Sequence, residues 1–203
     1  MRNKLEALKV EDYSPEYKTY LEEELKLMTQ TIKPSSSVLD VGCGAGRIIP
    51  LVAPKVKSYL GIDIDPNLLR VAREVSAQYP NSRVKYGRAE HLLLEEEKFD
   101  LALCLWNTLG NMDCPKKAAQ GISKVSREAL ITVVRKGNLE ARKRFYEVLG
   151  MPYQIEPGEV FISSFGKSRA FSEQDLRELT ANCNAKVDIQ PIGNLAYSIF
   201  LRH

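Results

Sequence analysis

The 203-residue sequence is poor in cysteine and histidine and lacks any long apolar run. Its four cysteines, Cys43, Cys104, Cys114 and Cys183, share no Cys-x-x-Cys spacing. That argues against a disulfide framework or a zinc site and points to free thiols in a reducing compartment. The longest uninterrupted apolar run, Leu101–Trp106, is six residues. A membrane-spanning helix needs about 20. The N-terminus interleaves Arg2, Lys4, Glu6, Lys9, Glu11 and Asp12 with apolar residues, so it carries no secretory core. The expectation is a soluble, cytoplasmic protein with no membrane partner. An excess of one sign of charge is missing too: 29 basic residues stand against 26 acidic ones, a net +3. That balance does not favour nucleic acid as a partner.

What is present is ordinary globular material, 44% apolar and 27% charged. The length suits a single domain over 1–203. Within it, 1–37 reads as an N-terminal helical cap and 136–170 as an insertion or lid region. Residues 14–30 look helical, with Ser14 able to cap, Pro15 in the first turn, and apolar residues recurring at Tyr17, Tyr20, Leu21, Leu25 and Met28. Strand candidates Val38–Val41, Ser58–Asp63, Arg83–Tyr86, Phe99–Leu105 and Ala129–Arg135 alternate with helical stretches Arg47–Ala53, Pro66–Tyr79, Ala89–Glu96 and Pro115–Ser126. Such alternation predicts a parallel sheet covered on both faces. A charged helix, Asn138–Leu149, follows. Two extended segments near Tyr153–Ile155 and Glu159–Phe165 are split by the turn dipeptide Pro157-Gly158. A helix starting at Ser172 then precedes a hairpin of Lys186–Pro191 and Leu195–Leu201 around Gly193-Asn194.

The informative segment is Val38-Leu39-Asp40-Val41-Gly42-Cys43-Gly44-Ala45-Gly46-Arg47. An apolar strand runs into glycines at alternate positions and then into a helix. Glycine lets backbone approach a ligand closely, and a helix N-terminus presents unpaired N–H groups. Asp63 ends the next strand in Gly61-Ile62-Asp63-Ile64-Asp65-Pro66, where a carboxylate can accept both ribose hydroxyls. A dinucleotide fingerprint needs glycine where Arg47 stands, and no Lys-Ser/Thr follows as in a P-loop. Asp65 reads as the cap of the Pro66 helix, Asp100 as a strand-start contact, and Cys43 as a small space-filling residue.

These segments, with Gly87-Arg88-Ala89-Glu90 and Phe99-Asp100-Leu101-Ala102-Leu103, resemble the class I S-adenosylmethionine-dependent methyltransferases in order over residues 14–135. The resemblance implies a doubly wound, mostly parallel seven-stranded α/β sheet of Rossmann-like type, closed by an antiparallel C-terminal hairpin. It implies S-adenosylmethionine as cofactor and S-adenosylhomocysteine as product. Asp40 would address the methionine amino group, Gly42, Cys43 and Gly44 would pass beneath the cofactor, and Asp63 would hold the ribose. Ile64 would pack on the adenine, Ala89 and Glu90 would meet its edge, and Leu105 would line the methyl-donor region. Arg88 departs from the Gly-Asp-Ala pattern of many members, and an arginine cannot accept from the adenine amine.

Methyl transfer from a sulfonium depends mainly on proximity and orientation, so the residues need not include a fixed catalytic motif. The Asn/Asp-Pro-Pro-Tyr loop used on planar nitrogens is missing after the fourth strand, where Trp106-Asn107-Thr108-Leu109-Gly110-Asn111 stands. Only Asp113 is available to a magnesium cluster there, so no metal is expected. Catalytic candidates are Asn107, Trp106, His91 and Tyr17. Substrate candidates are Trp106, Asn107, Asn111, Tyr17 and Arg135, the last because it ends a central strand on the ligand-binding edge. Tyr13, Tyr17 and Tyr20 share a helical face that either packs on the core or caps the site. Arg142–Arg144 reads as a solvated helix face.

Residues 135–169 carry 7 basic and 4 acidic side chains, so the net charge is concentrated in the insertion. The reading is a methyltransferase acting on a small acceptor that can be anionic. The alternative is an RNA or protein methyltransferase that grips its acceptor with the basic insertion.

Overall fold

The computed structural model describes residues 13–163 and 166–203. Ten strands form two sheets. The larger sheet has the order β3 (Ser82–Tyr86), β2 (Ser58–Asp63), β1 (Ser37–Val41), β4 (Phe99–Cys104), β5 (Ser126–Val134), β10 (Ala196–Arg202) and β9 (Lys186–Ile192). β1 to β5 run parallel, with Leu39 opposite both Leu60 and Ala102. β10 lies antiparallel to both β5 and β9, placing Ser198 opposite Thr132 and Gln190. The chain winds outward from β1 to β3, then returns to place β4 on the other side of β1. The C-terminal ends of β1 and β4 therefore diverge at the switch point, where an open α/β sheet leaves a crevice.

Both sheet faces are covered. α1 (Pro15–Thr31), α2 (Ile49–Val52), a 3-10 turn (Ala53–Lys55) and α3 (Pro66–Ser76) precede β3. A 3-10 segment (Ala89–Leu94), α4 (Thr108–Asn111), α5 (Pro115–Val125), α6 (Leu139–Val148) and α7 (Glu173–Thr180) follow it. Successive strand residues point to opposite faces, and the core divides accordingly. Val38, Leu101, Leu103 and Leu105 pack with Met28, Ile49 and Val52, whereas Leu39, Val41, Ala102 and Cys104 pack with Ile122 and Leu176. The strands are consequently apolar almost throughout, as a doubly covered sheet requires.

The second sheet is an antiparallel meander of β6 (Tyr153–Glu156), β7 (Val160–Ser163) and β8 (Gly166–Ser168). With α6 it packs against α1 through a third cluster containing Tyr13, Tyr17, Tyr20, Tyr146, Leu149 and Phe161. The basic 136–170 segment is thus joined to the N-terminal helix by aromatic rings.

Several elements differ from the sequence expectation. Arg47–Ala53 is not one helix: Ile48 precedes a single turn, and Pro50 and Pro54 confine it to α2 and the 3-10 turn. Ala89–Glu96 forms a 3-10 segment ending at Leu94, closed by the Glu95 N–H on the Leu92 carbonyl. The extended Glu159–Phe165 segment stops at Ser163 as β7, Ser164 and Phe165 lie outside the described residues, and Gly166–Ser168 adds a strand that the sequence reading lacked. The stretch after β4, read as loop, contains the one-turn α4. Ser14 sits at the α1 N-cap position but makes no side-chain cap bond. The charged N-terminal residues up to Asp12 lie outside the described residues. Asp65 does cap α3, accepting from the N–H groups of Asn67 at 2.9 Å and Leu68 at 3.4 Å. Asp100 braces the start of β1 through the Ser37 N–H and hydroxyl at 2.9 and 2.8 Å. All four cysteines are free thiols. Among the described residues no helix is long and apolar enough to cross a membrane.

Candidate active site

The site begins where β1 gives way to glycines. Gly42 and Gly44 have φ of +77° and +55°, a region that L side chains rarely enter. The Gly42 and Cys43 N–H groups both donate to the Ile62 carbonyl, at 2.8 and 3.0 Å, so the loop folds back over β2. Gly42 is also sterically required: a Cβ there would lie 2.2 Å from the Thr108 methyl. A Cβ on Gly44 would meet only Leu68, at 4.0 Å, so that stretch of backbone faces open space.

Two carboxylates flank the loop in different environments. Asp63, at the end of β2, accepts the Gly44 N–H on Oδ2 at 2.8 Å and the Asp65 N–H on Oδ1 at 2.9 Å. The two bonds orient the carboxylate, and each oxygen keeps a lone pair for a ligand hydroxyl. Asp40 is buried beneath the loop, where its Oδ2 accepts the Tyr59 hydroxyl at 2.5 Å. Burial pushes the Asp40 carboxyl up to about 7, and the Tyr59 bond partly opposes that shift.

A cavity of about 400 Å³ runs from this loop to the aromatic cluster. Ile64 is 53% exposed and presents its apolar side chain to it. At the same end, Glu90 accepts the Cys114 N–H at 3.3 Å, and Arg88 reaches across to Asp113 at 2.6 Å. Arg88, the departure from the family pattern, is therefore engaged by acids at the cavity edge.

The other end is organised by Glu24. This fully buried acid of α1 accepts the Trp106 N–H at 2.6 Å and the Arg47 guanidinium at 2.8 Å, and it also bonds the Thr132 hydroxyl. Thr132 in turn accepts from the Tyr20 hydroxyl at 3.1 Å and the Trp106 N–H at 2.9 Å. Arg47 lies 4.8 Å from the Trp106 ring centroid. Trp106 and Asn107 both have positive φ, +50° and +54°, and these bonds hold that conformation. Asn107 is buried and bound on all sides: its Oδ1 accepts the Val134 N–H at 2.9 Å, and its Nδ2 donates to the Arg169 carbonyl at 3.0 Å and the Ser168 hydroxyl at 3.1 Å. Aromatic rings complete the walls. Tyr13 meets Trp106 and Phe145 edge-on at 5.3 and 5.2 Å, and Tyr17 stacks on Phe145 at 4.3 Å.

The cavity brings together most of the residues singled out from sequence. Asp40, Gly42, Cys43, Gly44, Asp63, Ile64, Ala89, Glu90 and Leu105 line it, as do Tyr17, Trp106, Asn107 and Asn111. His91 and Arg135 do not line it. The exposed His91 borders a separate hollow of about 220 Å³ beside Leu92 and Glu95, because the 3-10 segment turns it away from the glycine loop. Arg135 is carried off by the antiparallel hairpin: its N–H bonds the Leu195 carbonyl at 2.8 Å and its guanidinium lies 5.3 Å from the Tyr197 ring centroid. Arg142 also departs from expectation, being 1% exposed rather than part of a solvated face.

Sequence reasoning did not find Glu24, Thr132, Phe145 or Tyr146. A signal existed for Glu24, which shares the face of Tyr17, Tyr20, Leu21 and Met28 at helical spacing, an unusual place for an acid.

The family model for a methyltransferase domain matches residues 38–129, which include the glycine loop, Asp63 and β4. That match, with methyltransferase-named relatives and structures, supports the class I S-adenosylmethionine-dependent methyltransferase superfamily. This methyltransferase is 24% identical over 186 residues to an uncharacterized methyltransferase of Schizosaccharomyces pombe, covering 83% of the chain and 71% of that relative. It is 35% identical over 89 residues to the ribosomal protein L11 methyltransferase of Burkholderia orbicola, covering 43% of the chain but only 28% of that protein. Its fold is similar to that of a Burkholderia thailandensis 1,6-didemethyltoxoflavin-N1-methyltransferase solved with 1,6-didemethyltoxoflavin and S-adenosylhomocysteine. The TM-score is 0.64 at 17% identity, over 90% of this chain and 77% of the other. The cofactor of this methyltransferase is S-adenosylmethionine.

Proposed function

We propose that this methyltransferase acts on a small molecule held in the aromatic end of the cavity, with the methyl donor at the glycine-loop end. The carrying observation is that α1, α6 and the three-stranded sheet all contribute side chains to the lining of one cavity with the glycine loop. The whole cavity, at about 400 Å³, falls within the ~300–1,000 Å³ range usual for small-ligand sites.

The residues present fit the donor. Asp63 has two oriented oxygens for a ribose diol, Ile64 offers an apolar face to a flat base, and the open backbone at Gly44 leaves room beneath it. Ala89 and Glu90 meet the base edge, and Asp40 draws in the methionine ammonium, directly or through water. Cys43 fills the space between the loop and β2, close to the position a Gly61 Cβ would take. Leu105, Trp106 and Asn111 border the passage between the two ends. When bound, S-adenosylmethionine supplies an electrophilic methyl on a sulfonium. The protein contributes alignment and exclusion of water. Asn107 acts by bracing: it fixes Ser168 and Arg169 against the end of β5 and so sets the width of the acceptor end.

The name of the Burkholderia thailandensis neighbour, which carries a bound small heteroaromatic acceptor, supports this reading. The stretch aligned with the L11 enzyme is too short to carry its acceptor over to this chain. The test is turnover of labelled methyl donor against a metabolite panel and, separately, total RNA and ribosomal protein, at low and high salt. Small-molecule methylation that is insensitive to salt is the expected result. Methylation confined to RNA, with a steep loss of affinity as salt rises, would overturn it.

A further inference from the structure

The acceptor end carries a buried positive charge. The Arg142 guanidinium donates to the Glu159 carbonyl at 2.5 Å and to the Ser168 carbonyl at 2.6 Å, and lies 4.2 Å from the Phe161 ring centroid. Tyr17 lies close enough to act on it electrostatically. The two carbonyls and the ring are neutral partners. The Glu159 carboxylate takes the Gly137 N–H at 2.9 Å and acts on Arg142 only at longer range. A buried cation is normally matched by a buried anion, as Arg47 is by Glu24. Arg142 has no carboxylate at ion-pair distance among the described residues; the charge that acts on it comes from Glu159, whose Oε2 is buried without a hydrogen-bond partner.

The groups around this guanidinium open onto the cavity. Tyr17, Tyr146 and Ser168 all line it. The Ser168 hydroxyl is 3.5 Å from Arg142 and accepts from Asn107 Nδ2 at 3.1 Å, which leaves its proton for a ligand, and burial keeps the Tyr146 phenol protonated. Burial keeps the Tyr17 phenol protonated at the cavity wall, so its hydroxyl can donate to a ligand. Lys167 adds a second positive charge at the exposed rim.

We propose that the Tyr17, Tyr146 and Ser168 hydroxyls, backed by Arg142, recognise a carboxylate on a small planar acceptor whose flat body lies against Phe145 and Trp106. This rests on the small-acceptor reading above. Arg142 is a positioning residue here: it polarises and orients the hydroxyls and balances the incoming charge. The positive character inferred for the insertion from its composition thus acts through one buried residue, and Arg135 has no part in it.

The experiment is calorimetric titration of protein saturated with S-adenosylhomocysteine, using matched probes: benzoate and phenylacetate against benzamide and phenylacetamide. Wild type should bind each carboxylate about tenfold more tightly than its amide, the ordinary scale of hydrogen bonds to a charged group. Tyr17→Phe, which keeps the ring stack on Phe145, and Arg142→Gln should each bring that ratio close to one. Arg142→Lys should retain more of it than Arg142→Gln, because a purely structural role would not follow the charge. Carboxylates bound no better than amides by wild type, whether both bind or neither does, would overturn the assignment. So would a preference that survives Tyr17→Phe and Arg142→Gln. The S-adenosylhomocysteine affinity separates the two readings. Lost preference with the nucleoside still bound removes this inference alone, whereas failure to bind the nucleoside removes the donor-site reading and this one together.

Discussion

The two ends of the cavity are built by opposite means. At the donor end the working surface is mostly backbone: a loop whose path is set by glycines at positive φ, fixed to the neighbouring strand by two N–H bonds and to Asp63 by a third. At the aromatic end, where we place the acceptor, the walls are rings of Tyr13, Tyr17, Trp106 and Phe145, joined by residues of β7–β8. A backbone-built surface depends on few residue choices and can be shared widely. A side-chain surface can be rewritten one residue at a time without disturbing the sheet. The difference teaches where a methyltransferase of this kind stores its generality and where it stores its selectivity.

The sharpest way to break this comparison is at Asp63. Asp63→Ala should weaken S-adenosylhomocysteine binding about 100-fold by calorimetry, since two charge-assisted bonds are lost together with the anchor of Gly44. A loss of under about threefold would move the donor end elsewhere. Next in size is Glu24→Ala, which strands the Arg47 charge and leaves the Trp106 N–H to Thr132 alone. Loss of one partner from a buried ion pair costs roughly 3–5 kcal/mol. Arg47 keeps about a quarter of its side-chain surface in solvent, so the lower end of that range is expected in denaturant unfolding.

A smaller effect lies in the pH dependence of donor binding. In the empty protein the Asp40 carboxyl is raised from 3.8 to about 7 by burial, against the Tyr59 bond and the Arg47 charge and with Asp63 and Glu24 adding to it. A bound ammonium favours the ionised form, so S-adenosylhomocysteine should bind several-fold more tightly as pH rises through 7, releasing a proton. Asp40→Asn should flatten that profile. The same group shapes stability with a definite sign. Between about pH 4 and 7 the folded state holds a proton that the unfolded state has lost, so this contribution to stability falls as pH rises through that window. The smallest expected effect is that of Arg135→Ala, which should leave both S-adenosylhomocysteine affinity and the carboxylate-to-amide ratio within about twofold, as surface changes away from a site usually do.

The sheet and the glycine-loop end of the cavity were legible because their physics is local. Alternating apolar strands and helices imply a covered parallel sheet, and glycines followed by Asp63 on the next strand describe a backbone geometry within one short window. The acceptor end was legible only in part. Trp106, Asn107 and Tyr17 follow from their place at the sheet edge and on the tyrosine face. Which arginine enters the interior does not: Arg142 and Arg144 differ by two positions on one helix, and the docking of α6 against Phe161 buries one while the other pairs with Glu16 at the surface. Arg135 sits at the edge its strand predicts, but the returning β10 claims its side chain, a long-range event that strand patterning does not report. The 3-10 form of Ala89–Leu94 likewise decided where His91 points.

The Glu24 knot has a consequence for how the site comes into being. Its bonds close chain separations of 23 residues to Arg47, 82 to Trp106 and 108 to Thr132, and the neighbouring Tyr20–Thr132 bond spans 112. Contacts so distant in sequence carry the largest loop-closure entropy and contribute late to assembly. On a chain emerging from the ribosome, the glycine loop and Asp63 are both present long before Thr132. The glycine-loop end, where we place the methyl donor, is therefore encoded ahead of the aromatic walls, and α1 must wait for β5 before it can complete them.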